Sequence, residues 1–163
     1  MTIAAIEELD VERIAPLVAA FRVSLKKHNG INSMPDLAAG QKELLEYLKA
    51  GYPCFAALEQ DEFIGYLVCR VEKPTVWVES LFVEFEFRRQ GVATELLHAA
   101  EKIAASNGEE TVFNFVHPNN HAMIEFLHRN GYSVLNLIEI RKPYPHEVFT
   151  QKINVGEHEF DFS

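Results

Sequence analysis

Long apolar runs are missing from this 163-residue sequence, and positive charge is in short supply. No stretch approaches the ~20 apolar residues of a membrane span. The start, Met1-Thr-Ile-Ala-Ala-Ile-Glu7, places no basic residues before an apolar core, so no secretory leader is expected. Lys and Arg number 15 against 24 Asp and Glu, a formal net charge of −9. That disfavours a nucleic-acid partner, which would call for a basic face, and is compatible with cationic substrates. Cysteine is scarce too. Cys54 and Cys69 each sit in an apolar, strand-like run, where a thiol packs as a small hydrophobe. Two reduced core thiols are expected in a cytoplasmic protein, with a bridge between them as the lesser alternative.

Several signatures of chemistry are also absent. Neither G-x-G-x-x-G nor G-x4-G-K-[ST] occurs, which removes support for dinucleotide and P-loop readings. No G-x-S-x-G occurs, and neither cysteine has a nearby histidine to make a nucleophile. His117-Pro-Asn-Asn-His121 with His128 groups imidazoles, but the spacing matches no standard zinc set and no cysteine is near. No metal and no membrane contact are expected.

What is present suits one globular domain. The length can bury a real core, and 48% hydrophobic with 24% charged residues is ordinary for such a chain. No repeat, low-complexity segment or linker divides residues 1–163. Residues 2–8 read as a first strand. Asp10 caps a helix carrying Val11, Ile14, Leu17, Val18 and Phe21, with Pro16 predicting a kink or a broken first turn. His28 to Pro35 is a loop, and Asp36 caps a second helix whose Leu37, Leu44, Leu45 and Leu48 share a face. Phe55–Glu59 and Glu62–Val71 form a hairpin about Gln60-Asp61.

The centre of the chain is Thr75 to Gly108. Thr75–Val83 is β-branched and aromatic, hence a buried strand. A helix with Val92, Leu96, Ala99, Ala100 and Ile103 follows, stopped by Asn107-Gly108. Between them Arg88-Arg-Gln-Gly-Val-Ala93 gathers free backbone N–H groups at a helix N-terminus, which suits a phosphate. Gly91 allows a pyrophosphate close to the backbone. Thr111–Val116 is a further strand, and the right-handed crossover through the helix makes it parallel to the central one. Asn119 or Asn120 caps the next helix, with Met123, Ile124 and Leu127 inward and Gly131 at its end. Tyr132–Arg141 is strand-like, and Lys152–Val155 with His158–Phe162 could add or cover an edge strand.

Two blocks carry a family resemblance. Val83 followed by Arg88-Arg-Gln-Gly-Val-Ala93 and Leu96-Leu97 resembles the acyl-CoA-binding motif of the GNAT superfamily of N-acetyltransferases. Asn120-His-Ala-Met-Ile-Glu-Phe-Leu-His-Arg-Asn-Gly-Tyr132 resembles that superfamily's second motif. The resemblance covers about residues 1–142 and leaves 143–163 as a C-terminal extension. It implies an α/β (α+β) fold with a mixed, mostly antiparallel six- to seven-stranded sheet and helices on both faces. It further implies two parallel strands that splay around pantetheine, and acetyl-CoA as co-substrate. Leu81, Phe82, Val83, Arg88, Arg89, Gln90, Gly91, Val92, Ala93, Thr94 and Asn120 are the expected CoA contacts, with amides near Phe82 and Val83 holding the thioester. The first two helices and their loop would overhang the acceptor, where Arg22, Lys26, Lys27 and His28 could touch substrate, although a solvated loop face is the first expectation for them.

The implied reaction is acetyl transfer to a primary amine, on a small molecule or a peptide N-terminus, and a homodimer is possible. An alkyl ammonium has a pKa of about 10, so a base or a desolvating site must free its lone pair. Glu79 is the candidate base: it is the only ionisable group within Val76–Val83, on one face with Trp77 and Leu81 if the strand alternates regularly. A structural ion pair with a basic side chain such as Arg70 or Arg141, or a role only in binding the cationic acceptor, is the alternative. One departure stands out. Where the family often has a tyrosine acid, this chain has Leu127, and Tyr132, Tyr66, Tyr144, His117, His128 or water are unranked substitutes. Leu127 keeps a second reading open, a non-catalytic acyl-CoA-binding or regulatory module.

Overall fold

The structure, a computed structural model, describes residues 1–162, so Ser163 of the expected domain lies outside the described residues. Strands β1 (Thr2–Ala5), β2 (Cys54–Glu59), β3 (Glu62–Glu72), β4 (Thr75–Val83) and β5 (Phe113–Asn114) form one sheet in that order. The first three interfaces are antiparallel and the last is parallel. Helices α1 (Val11–His28) and α2 (Leu37–Lys49) cover one face; α3 (Val92–Ser106) and α4 (His121–Arg129) cover the other. Each face buries its own apolar layer. Val11, Ile14, Leu17, Val18 and Leu44 meet Ala56, Tyr66, Val68 and Phe82 on one side. Leu96, Leu97, Ala100 and Leu127 meet Ile64, Leu67, Val76 and Val78 on the other.

Local signals explain most element ends. The Asp36 carboxylate accepts the Ala39 N–H at 2.9 Å, the side-chain cap its position predicts. Gln60 and Asp61 both have positive φ (47° and 66°), the twist a two-residue hairpin turn requires. The helix over Pro16 is unbroken from Val11 to His28, so the expected break is not found. A preceding 3-10 turn, Glu8–Asp10, closes with a reciprocal Glu7/Asp10 capping box instead. Leu37 is 54% exposed and does not join the inner face of α2.

The sheet has five strands rather than the six or seven expected. Tyr132–Arg141 makes no strand, and β6 (Gln151–Val155) with β7 (His158–Phe162) forms a separate two-stranded ribbon. Strand propensity describes a side chain suited to a pleated surface, and a strand exists only where a partner meets it. The thiols of Cys54 and Cys69 are free and buried in different layers, on opposite faces of the sheet, and burial pushes each pKa up to about 12.

Gly40 is where α1 and α2 touch most closely. A Cβ there would lie 2.7 Å from the Ala15 carbonyl oxygen and 3.2 Å from the Ala19 nitrogen, both backbone. Relief requires the helices to separate. Gly40→Val should therefore cost about 1–3 kcal/mol, read as a melting temperature lowered by several degrees.

Candidate active site

Site geometry begins with an irregularity in β4. Val68 pairs with Ser80 but Cys69 pairs with Val78, so Glu79 is an extra residue without a cross-strand partner, a β-bulge. The bulge reverses the strand's phase. Val76 and Val78 face the α3 layer before it; Ser80 and Phe82 face the α1 layer after it. Trp77 and Leu81 consequently lie on opposite faces, against the regular alternation expected from sequence. A one-residue insertion does this because the side-chain period is two.

Just past the bulge the parallel neighbours part. β5 pairs with β4 only at Trp77↔Phe113 and Val78↔Asn114, a shorter strand than Thr111–Val116. The rest of β4 faces a gap on that side. The Glu84 N–H donates to the Ile64 carbonyl at 2.9 Å. By the alternation of an antiparallel ladder, Phe82 and Ser80 then direct their backbone groups at β3, while Leu81 and Val83 direct theirs into the gap. The open amides are those of Leu81 and Val83, and Phe82 instead contributes its ring to the α1 layer.

The connection from β4 to α3 lies at the end of this gap. After a 3-10 turn over Phe85–Phe87, Arg89 (φ +60°) and Gly91 (φ +86°) take left-handed conformations. Arg88 folds back, its Nε donating to the Val83 carbonyl at 2.9 Å, and its guanidinium sits over the rings of Phe82 and Phe85. Gln90 Nε2 similarly donates to the Glu86 carbonyl. The Glu95 N–H donates to the Gly91 carbonyl, and no side chain caps the helix. The amides of Val92, Ala93 and Thr94 precede that bond and point out of the first turn. Val92 is buried, so only its backbone is available. A cavity of about 400 Å³ opens here, lined by Met1, Ile3, Gln90, Gly91, Thr94 and Glu95.

Glu79 stands at the other end of the gap. Its side chain is 34% exposed, with Oε2 3.6 Å from Arg70 Nε. Arg70 also pairs with Glu72 and lies 4.5 Å from the Trp77 ring centroid. The ion pair named as the alternative is thus present, through Arg70; Arg141 pairs with Glu147. On the α1 and α2 side, Arg22, already named from the sequence, meets Glu43 and Tyr47, which the sequence reading did not single out. Arg22 of α1 grips Glu43 of α2 and donates to the Tyr47 hydroxyl at 3.0 Å. Burial, then the charge of Glu43, pushes the Tyr47 phenol up to about 12, and Glu79 adds to that push. Tyr47 stacks on Tyr52 at 5.6 Å. The i, i+4 pair Glu43 and Tyr47 on a helix facing Arg22 was the available clue. Beneath them the hydroxyls of Tyr66 and Ser80 are buried beside each other.

The second motif is placed by α4. Asn120 Oδ1 accepts the Met123 N–H at 3.2 Å, so Asn120 rather than Asn119 caps this helix. Leu127 is buried against the α3 layer and offers no proton. Among its named substitutes, Tyr132 donates to Glu101 at 2.8 Å on α3, Tyr66 is sealed under α1, and Tyr144 is exposed beneath Arg141. His117 stacks on His28 at 6.1 Å, and its Nδ1 accepts the Asn119 N–H at 3.1 Å. Among the described residues no three His, Cys, Asp or Glu side chains converge on a possible metal position.

His117 titrates below its ordinary value of 6.5, through burial first and the neighbouring His28 second. Above pH 6.5 both folded and unfolded chains are neutral there. Below it the unfolded chain takes up a proton that the folded one resists, so stability should fall with pH until the lowered value is passed. Urea unfolding between pH 8 and 5 should show a flatter decline in His117→Gln than in the parent.

A family model described as the acetyltransferase (GNAT) family matches residues 24–132, which spans the gap, the Gly91 turn and the Asn120 helix. The chain belongs to the GNAT acetyltransferase family. Over 83 residues it is 30% identical to N-alpha-acetyltransferase 30 of Schizosaccharomyces pombe, covering 48% of this chain and 55% of that one. It therefore spans about half the length of the curated relative it matches. This GNAT chain also shares its fold with an aminoglycoside acetyltransferase, AAC(6')-Iy, solved with a CoA-linked bisubstrate analog. There the TM-score is 0.66 at 21% identity, covering 88% of this chain and 98% of that one. A ribosomal-protein-alanine N-acetyltransferase from Brucella melitensis gives 0.69 at 13% identity, covering 88% and 100%. Among the described residues of this GNAT protein no helix is long and apolar enough to cross a membrane.

Proposed function

We propose that the protein is an acetyl-CoA-dependent N-acetyltransferase acting on a primary amine by direct attack in a ternary complex. One observation carries this reading: β4 parts from β5 immediately after Val78, between a carboxylate at Glu79 and an uncapped helix N-terminus at Gly91. The pyrophosphate binds the amides from Gln90 to Thr94, where partial positive charge of the turn and the helix converges. Arg89 is exposed and free to reach phosphate, whereas Arg88 is committed to Val83 and orders the turn. Pantetheine lies along the gap and bonds the Leu81 and Val83 backbone. Asn120, its oxygen used as the cap, donates its Nδ2 to a pantetheine carbonyl.

At the reacting end Glu79 receives a proton from the ammonium, and the freed lone pair attacks the thioester carbonyl. The oxyanion takes a backbone N–H of β4, a donor worth ~3 kcal/mol in acyl transfer. The C–S bond then breaks, and the nitrogen loses its second proton to water or to the departing sulfur. Leu127 is tolerable because a thiol of pKa ~8.5 leaves adequately as the anion. The acceptor, a small-molecule amine or a peptide N-terminus, enters beneath α2 beside Tyr47 and Glu43. Support for an amine acceptor comes from the relatives, whose names describe N-acetylation of aminoglycosides or protein termini.

Buried Leu127 and the Arg70–Glu79 pair favour one other reading, an acyl-CoA-binding module without turnover. Thermal unfolding with acetyl-CoA and with CoA, followed by thiol release over a panel of amines, separates the two. A raised melting temperature plus thiol release is expected, since a ligand of the native state alone must stabilise it. A shift with no release on any amine supports the module, and no shift refutes acyl-CoA binding.

A further inference from the structure

We propose that Trp77 and Phe113 form the wall that receives the body of the acceptor, and that the acceptor is a primary amine of single charge with an aromatic ring close to its amino group. This deepens the acetyl-transfer reading and rests on it. Trp77 is the only tryptophan of the chain. It and Phe113 are half-buried, yet they pack into neither apolar layer of the described residues. Rings held at the mouth of a cleft beside a carboxylate are the makings of a small-ligand site.

Strand alternation accounts for their place. Val76 and Val78 lie in the α3 layer, so Trp77 between them turns to the α1 and α2 side. Val112 is in the α3 layer too, which turns Phe113 the same way. The two residues are partners across the parallel pair, with ring centroids 5.9 Å apart and planes tilted by 38°. They stand where β5 leaves β4, beside the bulged Glu79. Arg70 measures the separation. Its Nε is 3.6 Å from Glu79 Oε2 and its guanidinium carbon 4.5 Å from the Trp77 centroid, so one guanidinium reaches from carboxylate to ring. With the amine held at Glu79, a short carbon chain spans the same distance.

Charge selects one ammonium rather than several. Two neighbouring carboxylates already hold arginines, Glu43 with Arg22 and Glu72 with Arg70. Glu79 shares Arg70 and is the carboxylate left with charge to offer. The Trp77 face that would attract a second ammonium is occupied by Arg70, so the indole offers apolar contact instead. Further ammonium groups on a polyamine or an aminoglycoside would meet that resident cation without a carboxylate of their own.

As the only indole, Trp77 lets protein fluorescence report on the wall directly. With CoA bound, 2-phenylethylamine should change that fluorescence saturably, and ethylamine and spermidine at the same concentration should not. In thiol release, kcat/KM for 2-phenylethylamine should exceed that for ethylamine by at least about 100-fold, because one methylene in an apolar pocket is already worth ~10–200-fold. Trp77→Ala should remove most of that ratio through KM, and Trp77→Phe should restore much of it. Phe113→Ala, which keeps the indole and β4 intact, should cut the ratio as well. A phenylalanine-first peptide that releases thiol faster than 2-phenylethylamine would place the ring on a peptide terminus and keep the wall. A fluorescence change without thiol release from any amine would keep the wall and count against turnover. Thiol release from spermidine or kanamycin that equals release from 2-phenylethylamine would overturn the wall and leave acetyl transfer standing. A flat fluorescence titration with 2-phenylethylamine, or a Trp77→Ala enzyme that keeps the ratio, would overturn it too.

Discussion

Glu79→Gln should lower kcat at pH 7 by about 10²–10⁴-fold, the range a positioned general base supplies, while leaving the affinity for acetyl-CoA unchanged. The deficit should shrink as pH rises toward the amine's own pKa of about 10, because solvent then deprotonates the acceptor. The bulge is what makes this a strong expectation. An extra residue in β4 carries no pairing duty, so its side chain is aimed by the strand without being enclosed by it. Arg70 lies 3.6 Å away and holds the carboxylate in place, while its own charge is shared with Glu72. A purely structural Glu79 predicts no deficit in kcat that depends on pH. The Arg70 pair is partly exposed and contributes only ~0–1 kcal/mol, so a glutamine there changes the melting temperature little under either role. Full turnover by the variant at every pH would remove Glu79 from the chemistry.

Gly91→Glu should weaken acetyl-CoA binding at least about 100-fold and abolish the ligand-induced rise in melting temperature. Two effects combine. Gly91 has φ +86°, which costs an L-residue ~1–2 kcal/mol, so the turn relaxes and its amides lose their common focus. A carboxylate at the N-terminus of α3 also occupies, with the same sign of charge, the position a pyrophosphate needs. Gly91→Ala separates them, since it keeps the strain without the charge. Space is not the obstacle: a Cβ at Gly91 meets nothing within 4 Å, so both variants should fold with parent-like circular dichroism. Unchanged affinity in Gly91→Glu would move the phosphate site elsewhere.

The elements legible in the sequence were those with local causes. Asp36 capped its helix, Gln60-Asp61 turned the hairpin, β4 ran from Thr75 to Val83, and Asn120 opened α4. Each depends on groups within a few residues, such as a carboxylate and the amide three positions on. The family motifs were of the same kind, and the GNAT model match spans both. Tyr132–Arg141 marks the limit of that reasoning. Its pattern is that of a strand, yet nothing in the described chain pairs with it.

By itself, then, the sequence determined the helix caps, the hairpin, the central strand and the glycine turn, because short-range hydrogen bonding and backbone sterics specify them. Only the tertiary structure decided that Glu79 is bulged, that Trp77 and Leu81 face opposite ways, and that Leu81 and Val83 rather than Phe82 present open amides. It also decided that Arg22, Glu43 and Tyr47 form one cluster, whose phenol feels the charge of Glu79. These depend on which residue of a distant strand or helix is opposite, and a register is the outcome of packing two faces at once.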